Sequence, residues 1–475
     1  MNSLLAFERR QKSLQNTLSE IFRTGAPSAP EKRLAAELAY GSCRVLISLD
    51  HIISRHSARP IRKLDAVVRQ ILRVGLYQLL YLSRTPHFAA VHEAVQQAKA
   101  CGRKGADGFI NAVLRSIQRD IEGPITTGQS FRPRSVFWLD EKNGWQFKDN
   151  FLPDPNKNPA KYYSLAYGHP LWLVERWLKR YNEKTVRHLC LTNNSRPLLS
   201  LRANRLQCSA HELQERLEDS GWRVALHQET IYVLQAAMPE QLPGYSQGWF
   251  SVQDITATKA TAMLEPKPGE RILDMCAAPG GKTTHLAELM ANEGCIIACD
   301  VSPQKLRLIE ENCMRLGISI VKTCLAGDLP KLSKEQGPFD RILVDAPCSN
   351  TGVLARRVEV RHRLKPVHIP QLRTKQKELL RKAGKMVKKG GTILYSTCSI
   401  EPAENDKLVQ EFLQESYSFR LLEQKTFLPD KSLPDTGGEF PDSSGENMQA
   451  TRQEKVISSE LWCDGGYTAV LQNEK

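Results

Sequence analysis

No apolar run in this 475-residue chain is long and uncharged enough to span a bilayer. The most hydrophobic stretch, Val67 to Leu82, is interrupted by Arg69 and Arg73 and reads as a buried helix. The opening residues, MNSLLAFERRQKS, carry too short an apolar segment before their charges for a secretory signal, so a cytoplasmic protein with no membrane partner is expected. The twelve cysteines contain no CxxC pair, and Cys295 and Cys299 have no further Cys or His cluster beside them. Reduced thiols are therefore expected, with neither a disulfide framework nor a bound metal. Two nucleotide signatures are also missing. The dinucleotide pattern G-x-G-x-x-G is absent, and Gly281-Lys282-Thr283 lacks the glycine that a phosphate loop needs five residues earlier, where Cys276 stands. That mismatch disfavours an ATPase.

What is present is a globular composition, 41% hydrophobic and 25% charged, at a length that suggests two to four domains. The net charge of +14 favours a polyanionic partner, nucleic acid first. The surplus is uneven: residues 1–125 hold 19 Lys and Arg against 10 Asp and Glu, and residues 353–389 hold 13 against 2. A single basic run is most often a solvated helix face, but two in separate parts of the chain weaken that explanation.

Residues 1–125 show apolar spacings of three and four with breaks at Pro27, Pro30, Pro60 and Pro86, which predicts an all-helical domain. Residues 126–161 turn Pro-, Asn- and Gly-rich and read as a linker or irregular insertion. Residues 162–250 mix strand-like LLSLRANRL and TIYVLQ with helix-like AHELQERLEDSGW, a small α/β module. From 251 to 475 strands and helices alternate (RILDMC, KTTHLAELM, CIIACD, PQKLRLIEENCMRLG, FDRILVDAP, GTILYSTCS), which predicts an α/β fold with a parallel, doubly wound sheet, YTAVLQ being a candidate closing strand. The polar stretch 428–454 reads as a mobile loop, and the chain has no internal repeat.

The most informative run is Asp274-Met-Cys-Ala-Ala-Pro-Gly-Gly-Lys282-Thr, a turn from the first strand into a helix. Such turns present backbone N–H groups and a helix N-terminus at the carboxyl edge of the sheet, where small ligands bind. Asp300 ends the next strand, a place for a carboxylate that accepts ribose hydroxyls. Cys348 in DAPCS and Cys398 in STCS each follow a strand, so adjacent strands would present two thiols at that same edge.

Taken in order, AAPGGKT, CD at Asp300, GD at Asp328, DAPCS and STCS resemble the RNA 5-methylcytosine methyltransferases of the NOL1/NOP2/Sun family. EKRLAAELAYGSCR, VRQILRVGLYQLLYL, HEAVQQAK and GFINAVLRSI resemble a NusB-like RNA-binding domain. The pairing is similar to bacterial enzymes acting on small-subunit rRNA, and it implies a Rossmann-like class I methyltransferase sheet, S-adenosylmethionine as cofactor, an RNA partner and a monomer. By position it implies that Cys276, Ala277, Ala278, Pro279, Gly280, Gly281 and Lys282 line the methionine and ribose, that Asp300 holds the ribose, that Asp328 faces the adenine, and that Asp345 sits between cofactor and target base.

Cytosine C5 is a poor nucleophile until something adds to C6, and a thiolate is suited to that addition. The resemblance gives the attack to Cys398, stabilisation at N3 to Asp345, and loss of the C5 proton with enzyme release to Cys348. The basic stretch Arg356–Lys389 would hold phosphates beside the reaction centre. Asn350 stands where many relatives have Gly, and Arg357-Val-Glu-Val replaces a His-Pro-Asp segment. A tRNA substrate and a catalytically silent RNA-binding factor are the alternatives.

Overall fold

The computed structural model describes every residue except 10–12, 26, 84, 104, 431–461 and 475. The chain forms two compact units, residues 1–196 with 354–364, and residues 197–353 with 365–475. Most of the expected loop at 428–454 lies outside the described residues.

The first unit opens with helices α1 (Asn2–Glu8), α2 (Leu14–Gly25), α3 (Ala29–Arg44), α4 (Leu46–His56), α5 (Ala66–Tyr81), α6 (His87–Ala100) and α7 (Ala106–Asp120). Helix α5 is its centre: Ile71, Leu72 and Leu76 are fully buried. The Asp65 carboxylate caps it, accepting from Val67 N at 2.9 Å and Val68 N at 3.3 Å, an arrangement worth about 1 kcal/mol. The two arginines inside this apolar stretch are answered within the unit, Arg73 by a bidentate pair with Asp50 at 2.6 Å and Arg69 by Glu8.

Residues 126–161, expected as linker, instead contribute to a small antiparallel sheet of β1 (Ile121–Thr126), β2 (Val136–Trp138) and β3 (Asn143–Phe147), in the order β1-β3-β2. Strands this short leave no alternating pattern long enough to read, although Val136, Phe137 and Phe147 are buried. Because β1 begins at Ile121, it also ends the expected all-helical stretch five residues early. Helices α8 (Pro159–Tyr167), α9 (Leu171–Leu178) and α10 (Glu183–Asn194) follow in the same unit, whereas the sequence grouped them with the small α/β module.

The last piece of the first unit, residues 354–364, comes from far along the chain. Val358 packs in one cluster with Leu4, Phe7, Leu14 and Val74. Arg361, 1% exposed, donates to Arg44 O at 2.6 Å, Asn194 Oδ1 at 2.8 Å, Asn193 O at 2.8 Å and Leu354 O at 3.4 Å. This corrects part of the expectation for the basic stretch. Arg361 is a core residue, because both terminal nitrogens of its guanidinium are taken by protein oxygens rather than left for phosphate.

The second unit begins with a four-stranded antiparallel sheet, β4 (Leu199–Ala203), β5 (Val224–His227), β6 (Thr230–Val233) and β7 (Phe250–Val252), ordered β5-β6-β4-β7 and backed by α11 (Ala210–Asp219). After α12 (Ile255–Ala262) comes the main sheet: β8 (Arg271–Asp274), β9 (Cys295–Asp300), β10 (Val321–Leu325), β11 (Phe339–Asp345), β12 (Val387–Thr397), β13 (Phe419–Phe427) and β14 (Gly466–Asn473). Its order is β10-β9-β8-β11-β12-β14-β13. The first five positions are parallel, and β14 runs antiparallel to both β12 and β13, so the sheet expected to be parallel is mixed at one end.

Helices α13 (Gly281–Leu289), α14 (Pro303–Leu316), α15 (Leu329–Gln336), α16 (His368–Met386) and α17 (Asp406–Glu415) connect the strands. Alternate residues of the strands feed two cores, Leu273, Ile297, Ile342 and Ile393 on one face and Ile272, Ile296, Leu343 and Leu394 on the other. Both faces are therefore covered, as near-continuous apolar strands require. The small sheet is tied to α13 by Arg202, 2% exposed, which pairs with Glu288 at 2.6 Å and donates to Gly281 O at 3.0 Å.

Candidate active site

Parallel strands place their carboxyl ends on one edge, and here those ends are Asp274, Asp300, Leu325, Asp345 and Thr397. The loop after β8 enters α13 through Gly280, whose φ of 102° is a conformation that glycine adopts without strain. A Cβ there would also lie 3.3 Å from Ile309 Cα, so glycine lets the turn close onto α14. The loop is pinned to β9 by Ala277 N donating to Cys299 O at 2.9 Å and Ala278 N donating to Asp300 Oδ2 at 3.3 Å. The other Asp300 oxygen accepts from Val301 N at 2.7 Å and from Lys305 at 3.0 Å. Val301 beside it is 77% exposed, an aliphatic face open to solvent next to a buried carboxylate. Asp328 lies exposed in the turn between β10 and α15.

Further in, Thr283 Oγ1 donates to Asp274 Oδ2 at 2.7 Å, while Oδ1 has no well-formed partner. Burial raises this carboxyl to about 7. Burial also pushes the Cys276 thiol up to about 12, which disfavours it as a nucleophile. Lys282, on the first turn of α13, pairs with Asp345 and donates to Ser396 Oγ at 3.1 Å. Its amine thus faces a carboxylate across the sheet edge, which removes what remained of the phosphate-loop reading.

β11 and β12 are neighbours, with Asp345 opposite Ser396, and their following loops bring Cys348 Sγ within 3.3 Å of Cys398 Sγ. Cys398 is half-buried and lines a small cleft together with Asp254, Thr256, Lys282, Ser396 and Asp464. Cys348 is buried, and its thiol is held well above the ordinary cysteine range, first by its hydrogen bond to Cys398 and then by burial. It therefore keeps its proton near neutrality. Asn350, noted in the sequence only as a departure, takes a φ of 58°, in the left-handed region where Asn is tolerated best after Gly. Its Oδ1 accepts from Cys398 Sγ at 3.1 Å and its Nδ2 donates to Cys348 O at 2.8 Å, so it touches both thiol loops. The departure itself was the signal that a side chain had been added between the cysteines.

The basic helix α16 is less free than its composition suggests. Arg373, Lys377 and Arg381 are paired with Glu411 and Glu415 of α17. Lys375, Lys382 and Lys385 are exposed, at spacings that put them on one face. Among the described residues no three His, Cys, Asp or Glu side chains gather as metal ligands, and no helix is long and apolar enough to cross a membrane.

A sheet of this order, with a ligand-type turn after its first parallel strand and clustered polar side chains at the carboxyl edge, defines a Rossmann-like methyltransferase. Family models agree: the 16S rRNA methyltransferase RsmB/F model matches residues 261–455, the NusB family model residues 1–119, and an RsmF/B-like ferredoxin-like domain residues 169–239. The chain is 33% identical over 440 residues to "Probable ribosomal RNA small subunit methyltransferase B" of Bacillus subtilis (strain 168), covering 91% of this chain and 92% of that one. It is 36% identical over 402 residues to ribosomal RNA small subunit methyltransferase B of Escherichia coli O7:K1, covering 84% and 86%. The crystal structure of PH0851 matches with a TM-score of 0.71 at 26% identity, over 99% of this chain and 97% of that one. The chain belongs to the ribosomal RNA small subunit methyltransferase B family.

Proposed function

We propose that this protein methylates C5 of a cytosine in 16S rRNA through a covalent bond between Cys398 and cytosine C6. The observation that carries the reading is the pair of thiols 3.3 Å apart at adjacent strand ends, beside the Asp345–Lys282 pair and the loop after β8. The loop suits S-adenosylmethionine by its donor set. Residues Cys276–Gly281 offer a close backbone, Asp300 offers a carboxylate for ribose hydroxyls with Val301 as an apolar neighbour, and Asp345 with Lys282 offers both signs for an amino-acid end. Asp328, in the adjoining turn, is assigned to the adenine. When bound, the cofactor supplies an electrophilic methyl group.

The chain's own residues then handle the base. The target must be unstacked to enter the cleft beside Cys398. The Cys398 thiol gives up its proton to solvent, its sulfur bonds to C6, and the C5–C6 electron pair becomes available at C5, while Asp345 holds N3. After C5 has taken the methyl group, its proton passes to Cys348 as that residue protonates the departing Cys398 sulfur, and the C5–C6 double bond re-forms. Cys348, with its thiol proton retained and 3.3 Å from Cys398, is placed to return a proton to the departing sulfur and assist this last step. The helical unit, with its NusB-family match, is the proposed RNA selector.

The test is transfer of labelled methyl from S-adenosylmethionine to small-subunit rRNA and to tRNA. Wild type should label cytosine C5 of the rRNA, Cys398→Ala should not, and Cys348→Ala should accumulate an RNA adduct that survives denaturation, since proton handling is worth about 10²–10⁴-fold. Cys398→Ala at wild-type rate would sink the covalent mechanism, and labelling of tRNA alone would move the substrate.

A further inference from the structure

Each of the two cysteines is followed by a serine, Ser349 after Cys348 and Ser399 after Cys398, and both serines donate to one carboxylate. That carboxylate is Glu404, fully buried at the end of the short turn Pro402–Glu404. Its Oε1 accepts from Ser349 N at 2.9 Å and from Gln376 Nε2 at 2.9 Å. Its Oε2 accepts from Ser399 Oγ at 2.6 Å and from the Ser349 hydroxyl. The two hydroxyls are also 3.0 Å from each other. Gln376, from α16, reaches Pro347 O at 3.0 Å with the same amide, so both ends of the Cys348 turn are held. The next residue, Asn405, grips the other loop on either side of its thiol, accepting from Thr397 Oγ1 at 2.7 Å and donating to Ser399 O at 2.8 Å.

A carboxylate taken out of water is costly unless its lone pairs are filled, and these four donors come from three separate elements. A side chain with that many fixed donors sets their spacing, and the spacing it sets here is that of the residues adjoining the two sulfurs. We infer that Glu404 is a positioning residue for methyl transfer, clamping the Cys348 and Cys398 loops at the separation that lets one thiol act on the other's leaving sulfur. The inference rests on the reading of the two cysteines given above. Glu404 does not reach the cleft that Cys398 lines, so its effect is exerted through Ser349 and Ser399. Its charge also contributes to holding the Cys348 proton, behind the hydrogen bond to Cys398 and burial.

The experiment uses the full chain with Glu404→Gln, which keeps the size but puts an NH2 donor where one carboxylate oxygen was, so that only one donor pair, either the two serine hydroxyls or Ser349 N with Gln376 Nε2, keeps its acceptor. Two readings are taken after S-adenosylhomocysteine binding and thermal unfolding have established that the variant is folded. The first is turnover, where kcat should fall about 10²-fold from slight misplacement while KM for RNA stays within about twofold. The second needs no RNA: oxidation by diamide, whose azo group takes one hydrogen from each thiol as the Cys348–Cys398 disulfide forms, followed by peptide mapping. That disulfide should form about tenfold more slowly than in wild type if the loops have moved apart. Should Glu404→Gln fail to bind S-adenosylhomocysteine, Ser399→Ala removes a single donor and should lower kcat about tenfold. Wild-type kcat in a folded variant, or disulfide formation at the wild-type rate, overturns the clamp. An active Cys398→Ala protein would defeat the covalent reading instead, and the diamide rates would still decide the positions of the loops.

Discussion

Each unit of the molecule is organised around a buried charge, and the two charges have opposite signs. In the first, Arg361 gathers four acceptors, three of them backbone carbonyls from α3, α10 and the re-entering segment 354–364. In the second, Glu404 gathers four donors, including the hydroxyls beside both thiols. The cation closes the buried C-terminal ends of α3 and α10, so its work is structural. The anion closes the two loops that carry the paired thiols, so under the proposed mechanism its work reaches the chemistry. Asp274 shows burial acting on an acid with fewer donors: with one oxygen left without a good partner, burial raises its carboxyl to about 7.

The largest expected effect comes from breaking the cationic hub. Arg361→Ala leaves carbonyls of Arg44 and Asn193 buried and unanswered, and should cost the first unit about 3–5 kcal/mol. Hydrogen exchange across residues 1–196 reads the loss. Arg361→Lys keeps the charge but gives up the planar fork, and should recover only part of it. Unchanged exchange in Arg361→Ala would mean that the comparison fails, since one of the two hubs would be dispensable.

Asp274 comes next and sharpens the contrast through pH. Its carboxyl is raised from 3.8 to about 7, chiefly by burial, so it holds its proton more tightly when folded. Its contribution to stability is therefore present in full below the unfolded value and is lost as the pH climbs through the folded one. Asp274→Asn, neutral throughout, should remove a decline of roughly 2–4 kcal/mol across that window. Urea midpoints at acid and neutral pH check this. Equal slopes in the two proteins would show that a partner answers the carboxylate after all.

Much of the second unit was legible because its signals are contiguous. The run from Asp274 to Lys282, DAPCS and STCS each sit within one strand and its following turn, so period and composition announce them locally. Glu404 was not legible: in EPAENDK it looks like any solvated acid, and only convergence of Ser349, Gln376 and Ser399 makes it a hub. Arg361 was misread for the converse reason, as one member of a basic run. The strands between Ile121 and Phe147 were hidden by their brevity.

The same basic run supplies the smallest effect and separates exposed charge from the buried kind. Counting side chains between 353 and 389 suggested a phosphate surface, but Lys377 meets Glu411 and Glu415, which lie 34 and 38 residues further on and outside any local window. Exposed pairs of this sort contribute little to stability, so Glu415→Gln should leave thermal unfolding unchanged. Their meaning lies in what they withhold from RNA. Lys375, Lys382 and Lys385, exposed on one face of α16, are the phosphate contacts to be tested on this helix. Replacing any of them with alanine should lower the slope of log K against log salt by ~0.7 for a single-stranded target. A slope unmoved by all three replacements would place the RNA on another surface of the protein. A slope that moves only for Lys377→Ala would mean that the ion pairs with α17 open when RNA binds.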